Sequence, residues 1–385
     1  MRQTFLPYNQ PDLGEEEVQA VSEAIRSHWI TRAGITAQFE AELSQFLDGV
    51  PIIALSSCTA GMHLALLASG IGPGDEVITT PYTFAASVNV IIHSGATPVL
   101  VDIDPETGNI DPNRIEDKIG PKTKAILPVH YAGHPVDIDA INVLRDRYHL
   151  TVIEDAAHAI ASLYRGKKIG THGNMVSFSF YATKNLTTGE GGALVVPDPD
   201  IAEKIRMLSL HGMSRNAWNR YEEKGSWFYT VEAPGFKYNM TDIEAAMGRI
   251  QLQKLDKMQD RRRQLAYRFT RGLEGMPVTA PIERPDVSHA WHIYPLRLNL
   301  EQMAATRDTV VNDLKALNIG TSVHFIPIHF HPYYQKKLGL KPGDFPLAEE
   351  FYRREISLPL YPTMTDMDAD DVLQALSSVL LSSVR

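Results

Sequence analysis

Short runs of β-branched and other apolar residues alternate with segments of helical period through the first half of the chain, and no other feature restricts its fold as much. Ile52 to Leu55, Glu76 to Thr79, Thr97 to Val101, Ala125 to Val129 and Thr151 to Ile153 each have the length of a buried strand. Between them lie helical patterns such as Thr59 to Ala68, which Gly70 can close, and Asp139 to Tyr148. Strands separated by helices in this way run mostly parallel, with helices on both faces of the sheet. Upstream, Val18, Val21, Ala24 and Ile25 recur at helical spacing between Glu15 and His28, and a loop, Trp29 to Gly34, follows. Val176 to Phe180 and Ala193 to Val196 add two more strands, joined by a loop that carries Lys184 and three glycines.

The pattern changes near Asn239. Thr241 to Met258 reads as a long helix continued by the charged run Asp260 to Arg263. Strand-like Ile293 to Leu298, helical Thr306 to Leu317, strand-like Ser322 to Phe325 and a helix over Asp370 to Leu381 complete the chain. These runs predict a large α/β domain over residues 1–255 and a smaller α+β domain over 256–385. A length of 385 residues ensures a substantial core. The net charge of −9 argues against a nucleic-acid surface, so any phosphate must be bound by individually placed groups. Cys58 is the only cysteine, which excludes an internal disulfide and fits a reducing compartment. Met1 to Gln10 lacks the apolar run of a signal peptide, and no stretch approaches the roughly 18 apolar residues of a membrane span. A soluble cytosolic protein is expected.

Ligands of open parallel sheets sit beyond the carboxyl ends of the strands, and several polar residues fall there. Asp155 follows the apolar run Val152-Ile153 and Glu154, where it can pair with a cationic ring nitrogen or simply cap the next helix. Ser56 to Gly61 lies between a strand and a helix start, where free amides and small hydroxyls make either a phosphate site or an ordinary cap. Ser177 and Ser179 face one side of their strand, opposite Phe178 and Phe180. Lys184 comes 29 residues after Asp155 (184 − 155). Alone, such a lysine is a surface residue. Turn, acid, serine strand and lysine in this order together point to pyridoxal phosphate chemistry, in which the amine forms a Schiff base with the cofactor aldehyde and the acid holds the pyridine nitrogen protonated.

Pro81-Tyr82-Thr83-Phe84, Glu154-Asp155-Ala156-Ala157-His158, Ser177 to Phe180, Thr183-Lys184-Asn185 with Gly189-Glu190-Gly191-Gly192, and Tyr238 to Asp242 resemble motifs of the DegT/DnrJ/EryC1/StrS nucleotide-sugar aminotransferases. The resemblance runs from Leu6 to the last helix. It implies the aspartate-aminotransferase type I fold, with a mostly parallel sheet and a smaller α+β C-terminal domain, and a homodimer that builds each active site from two subunits. It further implies that Lys184 holds the cofactor covalently, Asp155 pairs with the pyridine nitrogen, Phe84 stacks on the ring, and Thr59, Ala60 and Ser179 hold the phosphate. His158 would lie near the ring oxygen, and Asn239 would reach the cofactor phosphate of the neighbouring subunit. Each has a structural alternative: Phe84 as core, His158 as an interior imidazole, Asn239 as a helix cap.

Within that family, Leu210 to Arg215, Ala233 to Asn239 and Val323 to His329 look most like enzymes acting on UDP-linked 4-keto sugars, of the 4-amino-4-deoxy-arabinose type, with L-glutamate as donor. Such enzymes supply amino sugars for lipopolysaccharide or other surface glycans. His324 and His329 are then candidate sugar contacts, and Arg215, Arg220 and Lys224 candidate partners for the diphosphate. The same similarity leaves open a dTDP-linked 3- or 4-keto-6-deoxy sugar, a sugar dehydratase, and a non-catalytic regulator. Lys184 speaks against the dehydratases, which carry histidine there. The spacing of His324, His329 and His331 does not complete a metal set, since no cysteine or nearby carboxylate joins it. Two departures concern the pocket: Arg32-Ala33 stands where relatives have Gly-Pro, and Tyr181 where some have histidine.

Overall fold

The computed structural model describes residues 2–214 and 228–381. Its seven-stranded sheet has the order β1 (Ile52–Leu55), β9 (Gly192–Val195), β8 (Met175–Ser179), β5 (Thr151–Asp155), β4 (Thr123–Ile126), β2 (Glu76–Thr79) and β3 (Thr97–Leu100). β9 runs antiparallel to both its neighbours, and the other pairs are parallel. Strand residues alternate between two cores, as a pleated sheet covered on both faces requires. Ile52 and Ala54 pack in one core and Ile53 and Leu55 in the other, and Ala193 and Val195 divide from Leu194 and Val196 in the same way. The first core takes Phe39 and Leu43 of α2 (Gly34–Phe46), Ile141 of α5 (Ile138–Tyr148) and Leu255 of α7 (Asp242–Gly272). The second takes Leu64 of α3 (Cys58–Ala68), Val90 of α4 (Ala85–His93) and Ile205 of α6 (Pro199–Leu208). α1 (Glu15–Arg26) lies against α7.

The charged run Asp260 to Arg263 does not interrupt α7, which continues for 31 residues. Its capping box is complete: the Thr241 hydroxyl accepts the Glu244 N–H, and the Glu244 carboxylate accepts the Thr241 N–H. Met258 packs in the first sheet core, whereas Leu265, Ala266 and Phe269 belong to a further core. That core collects β12 (Tyr294–Leu298), β13 (Glu355–Leu358), α8 (Arg307–Ala316), α11 (Asp366–Leu381) and, from the N-terminal arm, Leu6. β10 (Val278–Thr279) completes a three-stranded sheet with β12 and β13, while β6 (Leu163–Tyr164), β7 (Lys167–Lys168) and β11 (Val287–Ser288) form a small separate one. α9 (Pro332–Leu338) and α10 (Pro346–Arg354) lie between α8 and β13 in the chain. No helix among the described residues is long and apolar enough to cross a membrane.

Two segments depart from the sequence expectation. Ser322 to Phe325 is not a strand; it makes a single bridge, Ser322 to Ser357, and beyond it the His324 N–H goes to the Glu355 side chain and not to a strand carbonyl. Beyond the loop at Trp29 to Gly34 stands α2, a helix whose N-terminal amides are capped from far away in sequence. The buried Asp242 carboxylate accepts the N–H groups of Ala33 (2.8 Å), Ile35 (3.1 Å) and Thr36 (2.9 Å), and the Thr36 hydroxyl as well (2.5 Å). Arg32 turns back to Glu40 of the same helix at 3.1 Å. Asp242→Ala would leave these donors without an acceptor, and a loss of about 3 kcal/mol in urea unfolding is expected, since stranding buried donors costs more than a hydrogen bond contributes. A loss under about 0.5 kcal/mol would show that water replaces the carboxylate.

Candidate active site

The sheet delivers its polar residues to one cavity of about 570 Å³ beyond the strand ends. Ser57 comes from the turn after β1, Cys58 and Thr59 from the start of α3, Thr83 and Phe84 from the segment after β2, Asp155 from the last position of β5, and Ser179 from the last position of β8. Lys184 follows on the loop after β8, and Tyr8 and Asn9 of the N-terminal arm close over it, with Asn9 donating to the Thr183 carbonyl at 3.2 Å. Gly192 permits the approach of β9 to the α3 terminus, because a Cβ there would lie 2.4 Å from the Cys58 nitrogen.

Lys184 is enclosed, and burial pushes its ammonium down from 10.5 to about 8, against the smaller opposing effect of the Asp155 carboxylate. The neutral fraction, which this shift brings within reach near pH 8, is a nucleophile and a proton carrier. Its Nζ lies 3.4 Å from His292 Nε2. The hydrogen-bond network assigns the tautomer of that ring: Asn185 donates its amide to the Ala290 carbonyl at 2.8 Å, so its Oδ1 accepts from His292 Nδ1 at 3.0 Å. Nε2 is thereby left as a lone pair for the lysine. His158 shows the opposite arrangement, since its Nδ1 accepts the Ala132 N–H at 3.2 Å and Nε2 carries the proton. Burial, with Lys184 adding to it, holds both imidazoles well below their usual range, so both are neutral.

Asp155 is buried and receives neutral donors: the Ser87 hydroxyl at 2.7 Å, the Ala157 N–H at 3.1 Å and the Cys58 thiol at 3.7 Å. Thr83 Oγ1 lies 2.8 Å from Ser87 Oγ and holds it in place. Burial, followed by the Asp155 charge, pushes the Cys58 thiol up, so it is a protonated donor and not a nucleophile. His63, its sequence neighbour, is turned instead to Phe236 and Tyr238.

Lys184, Asp155, Thr59, Phe84, His158, Ser179 and His324 therefore meet in one cavity. The remaining expected residues do not. Ala60 contributes no surface to it, and its N–H donates to the Ser57 hydroxyl at 3.0 Å, the cap of α3. His329 is fully buried elsewhere, with Nε2 on Glu349 at 2.8 Å, and is a structural contact. Asn239 lies outside the cavity of its own chain, accepting from Lys237 at 2.5 Å and donating to the Met240 carbonyl. Arg215, Arg220 and Lys224 fall outside the described residues. Ser87, Tyr8, Asn9 and His292 join the site without a signal in the sequence, and Cys58 enters it as a donor to Asp155.

The donor set fits pyridoxal phosphate. A buried carboxylate surrounded by neutral donors suits a ring N–H⁺, and Phe84, which lines the cavity and is 63 % exposed, offers an aromatic face. His158 Nε2–H can serve the ring oxygen, and the Thr59 and Ser179 hydroxyls at the α3 end can serve the phosphate. In cofactor-free protein, capture of an aldehyde by Lys184 should quicken about tenfold between pH 7 and pH 9, since only the neutral amine attacks and its fraction rises through about 8. A stopped-flow profile centred near the ordinary 10.5 would contradict this.

The sequence pattern of the DegT/DnrJ/EryC1/StrS aminotransferase family matches residues 11–377. The chain belongs to this family. As a DegT/DnrJ/EryC1/StrS chain it is 50 % identical over 381 residues to the spore coat polysaccharide biosynthesis protein SpsC of Bacillus subtilis strain 168, covering 98 % of both chains. It is also similar to Spr1654 from Streptococcus pneumoniae in its PMP form, with a TM-score of 0.91 at 32 % identity, covering 98 % of this chain and 99 % of that one. Spr1654 has a PLP form as well. Helicobacter pylori PseC, an aminotransferase involved in the biosynthesis of pseudoaminic acid, superposes with a TM-score of 0.90 at 29 % identity, covering 99 % of this chain and all of that one (100 %). The fold is that of the pyridoxal-phosphate-dependent sugar aminotransferases, and the seven-stranded sheet with antiparallel β9 is its frame.

Proposed function

We propose that this chain, with pyridoxal phosphate bound, transfers the amino group of L-glutamate to the keto carbon of a UDP-linked 4-keto sugar, making an amino sugar for a surface glycan. The observation that carries the reading is the buried Lys184 amine, with a pKa of about 8, in one cavity with the buried Asp155 carboxylate. Bound there, pyridoxal phosphate supplies an electron sink that neither side chain provides alone. Lys184 would hold the cofactor through Nζ, and the same nitrogen, neutral in the enclosed cavity, would serve as the proton carrier. His292 Nε2 orients that nitrogen. Asp155 would keep the ring nitrogen charged, Phe84 would cover the ring, and Thr59 and Ser179 would hold the phosphate. His324 faces the sugar from the cavity wall.

The surface-glycan assignment is supported by the likeness to SpsC, a spore coat polysaccharide biosynthesis protein. A homodimer in the cytoplasm is the proposed working form. Asn239 is buried away from its own cavity, in keeping with a role toward a second copy, and Ile30 and Val231 are exposed apolar residues suited to an interface between copies. The test is mass spectrometry of products from UDP- and dTDP-linked keto sugars with ¹⁵N-glutamate. A ¹⁵N-amino sugar from a UDP-4-keto sugar is expected. Amination of dTDP sugars alone, or a deoxygenated product without nitrogen, would overturn the reading.

A further inference from the structure

His324 does not stand alone in the cavity wall. Its Nδ1 lies 2.9 Å from the Ser357 hydroxyl, and its backbone N–H donates to Glu355 Oε2 at 2.9 Å. Ser357 Oγ is in turn in short contact with Glu355 Oε1, and both residues are fully buried on β13. Tyr8 stacks on the His324 ring at 5.4 Å, and the Tyr82 and Tyr131 hydroxyls each donate to the His324 carbonyl at 2.6 Å. Backbone and ring are therefore held from every side, and Nε2 is the nitrogen left for a ligand in the cavity.

We propose that Glu355 and Ser357 are positioning residues that set the tautomer of His324, and thereby decide whether its cavity-facing Nε2 donates to or accepts from the sugar substrate. The inference rests on the sugar-aminotransferase reading for its substrate, but the tautomer relay itself does not. Burial holds the Glu355 carboxyl neutral up to about 8, and burial, followed by Lys184, keeps the His324 imidazole neutral down to about 4. A neutral Glu355 donates from Oε1 to Ser357 while Oε2 accepts the His324 N–H. Ser357, which also accepts from the Tyr8 hydroxyl, then donates its one proton to Nδ1, and the ring proton sits on Nε2. Such a donor suits a keto or hydroxyl oxygen. Once Glu355 ionises, Ser357 turns its proton to the carboxylate, Nδ1 donates to Ser357, and Nε2 becomes an acceptor that rejects the same oxygen. The groups facing Glu355 are His324 and Ser357, the Tyr8, Tyr82 and Tyr131 hydroxyls, Arg307 of α8, and Arg297, its cross-strand partner on β12. The tyrosines remain un-ionised because burial raises them all, so Glu355 is the group that changes charge.

The test is ¹⁵N NMR of the histidine rings in the full chain, with and without pyridoxal phosphate, with His324 assigned by its loss in His324→Gln. The wild-type ring is expected as Nε2–H at pH 6.5, passing to Nδ1–H as the pH rises through about 8. Glu355→Gln, whose amide donates to Ser357 as the neutral acid does, should stay Nε2–H throughout. Ser357→Ala should lose the pH response. In turnover, KM for the keto sugar should rise on the order of tenfold above pH 8 in wild type, the size of one lost hydrogen bond, with kcat changing less. Glu355→Gln should abolish that rise. A His324 tautomer that ignores pH in wild type, or is unchanged by both substitutions, would overturn the proposal. Because the NMR needs no sugar, failure to aminate any sugar would count against the substrate reading and leave the relay to be judged by its own signal.

Discussion

Lys184→Ala is expected to lower transamination by at least about 10⁴-fold while cofactor uptake persists, because one atom is lost from two tasks, covalent capture and proton transfer. The variant should still fold. Below pH 8 the wild-type chain confines an ammonium that burial disfavours, so removing it relieves that cost. His292 Nε2 loses its partner but lines the cavity, where water can replace the amine. The Thr59 and Ser179 hydroxyls, the Phe84 face and Asp155 are all left in place. Borohydride treatment followed by peptide mass spectrometry should therefore find the cofactor on the wild-type Lys184 peptide and none on the variant, although both proteins bind it. Turnover within about tenfold of wild type would transfer the role to another amine and remove the basis of the assignment.

What could be read from the sequence is what is written locally. The strands show as short β-branched runs, and Asp155 and Lys184 show because each follows a strand at a place where open sheets bind ligands. Helix α2 was not anticipated. Its cap is Asp242, 206 residues from Thr36, and no local residue announces it. The groups that tune the two central residues are hidden for the same reason: Ser87 and Cys58 reach Asp155 across 68 and 97 residues, and His292 reaches Lys184 across 108. His329 shows the converse error. It shares a short motif with His324, but polarity in a sequence does not say which way a side chain turns. The single 3-10 turn at Ile328–Phe330 carries His329 inward to Glu349, while His324 stays on the cavity. At Ala60 a local cap competes with a ligand, since its amide already donates to the Ser57 hydroxyl at the start of α3.

Asp155→Asn separates charge from shape, and it should move two quantities in opposite directions. The amide fills the same volume. Its oxygen can still accept the Ala157 N–H, while its NH₂ can donate to Ser87, whose hydroxyl is free to rotate toward Thr83. The fold should survive, and only the negative charge disappears. Turnover should fall by about 10³-fold or more, since a neutral partner cannot hold a ring nitrogen protonated in a buried site. The same charge raises the Lys184 pKa against the effect of burial, so its loss should carry the amine of the cofactor-free protein below about 8. At neutral pH a larger share of Lys184 is then neutral, and its reaction with a small amine-directed electrophile should become faster. A variant that is slow in both measurements would indicate a collapsed cavity, and one that keeps near-native turnover would mean that another acid serves the ring. A livelier lysine in a nearly dead enzyme is the combination that follows only if Asp155 acts through its charge.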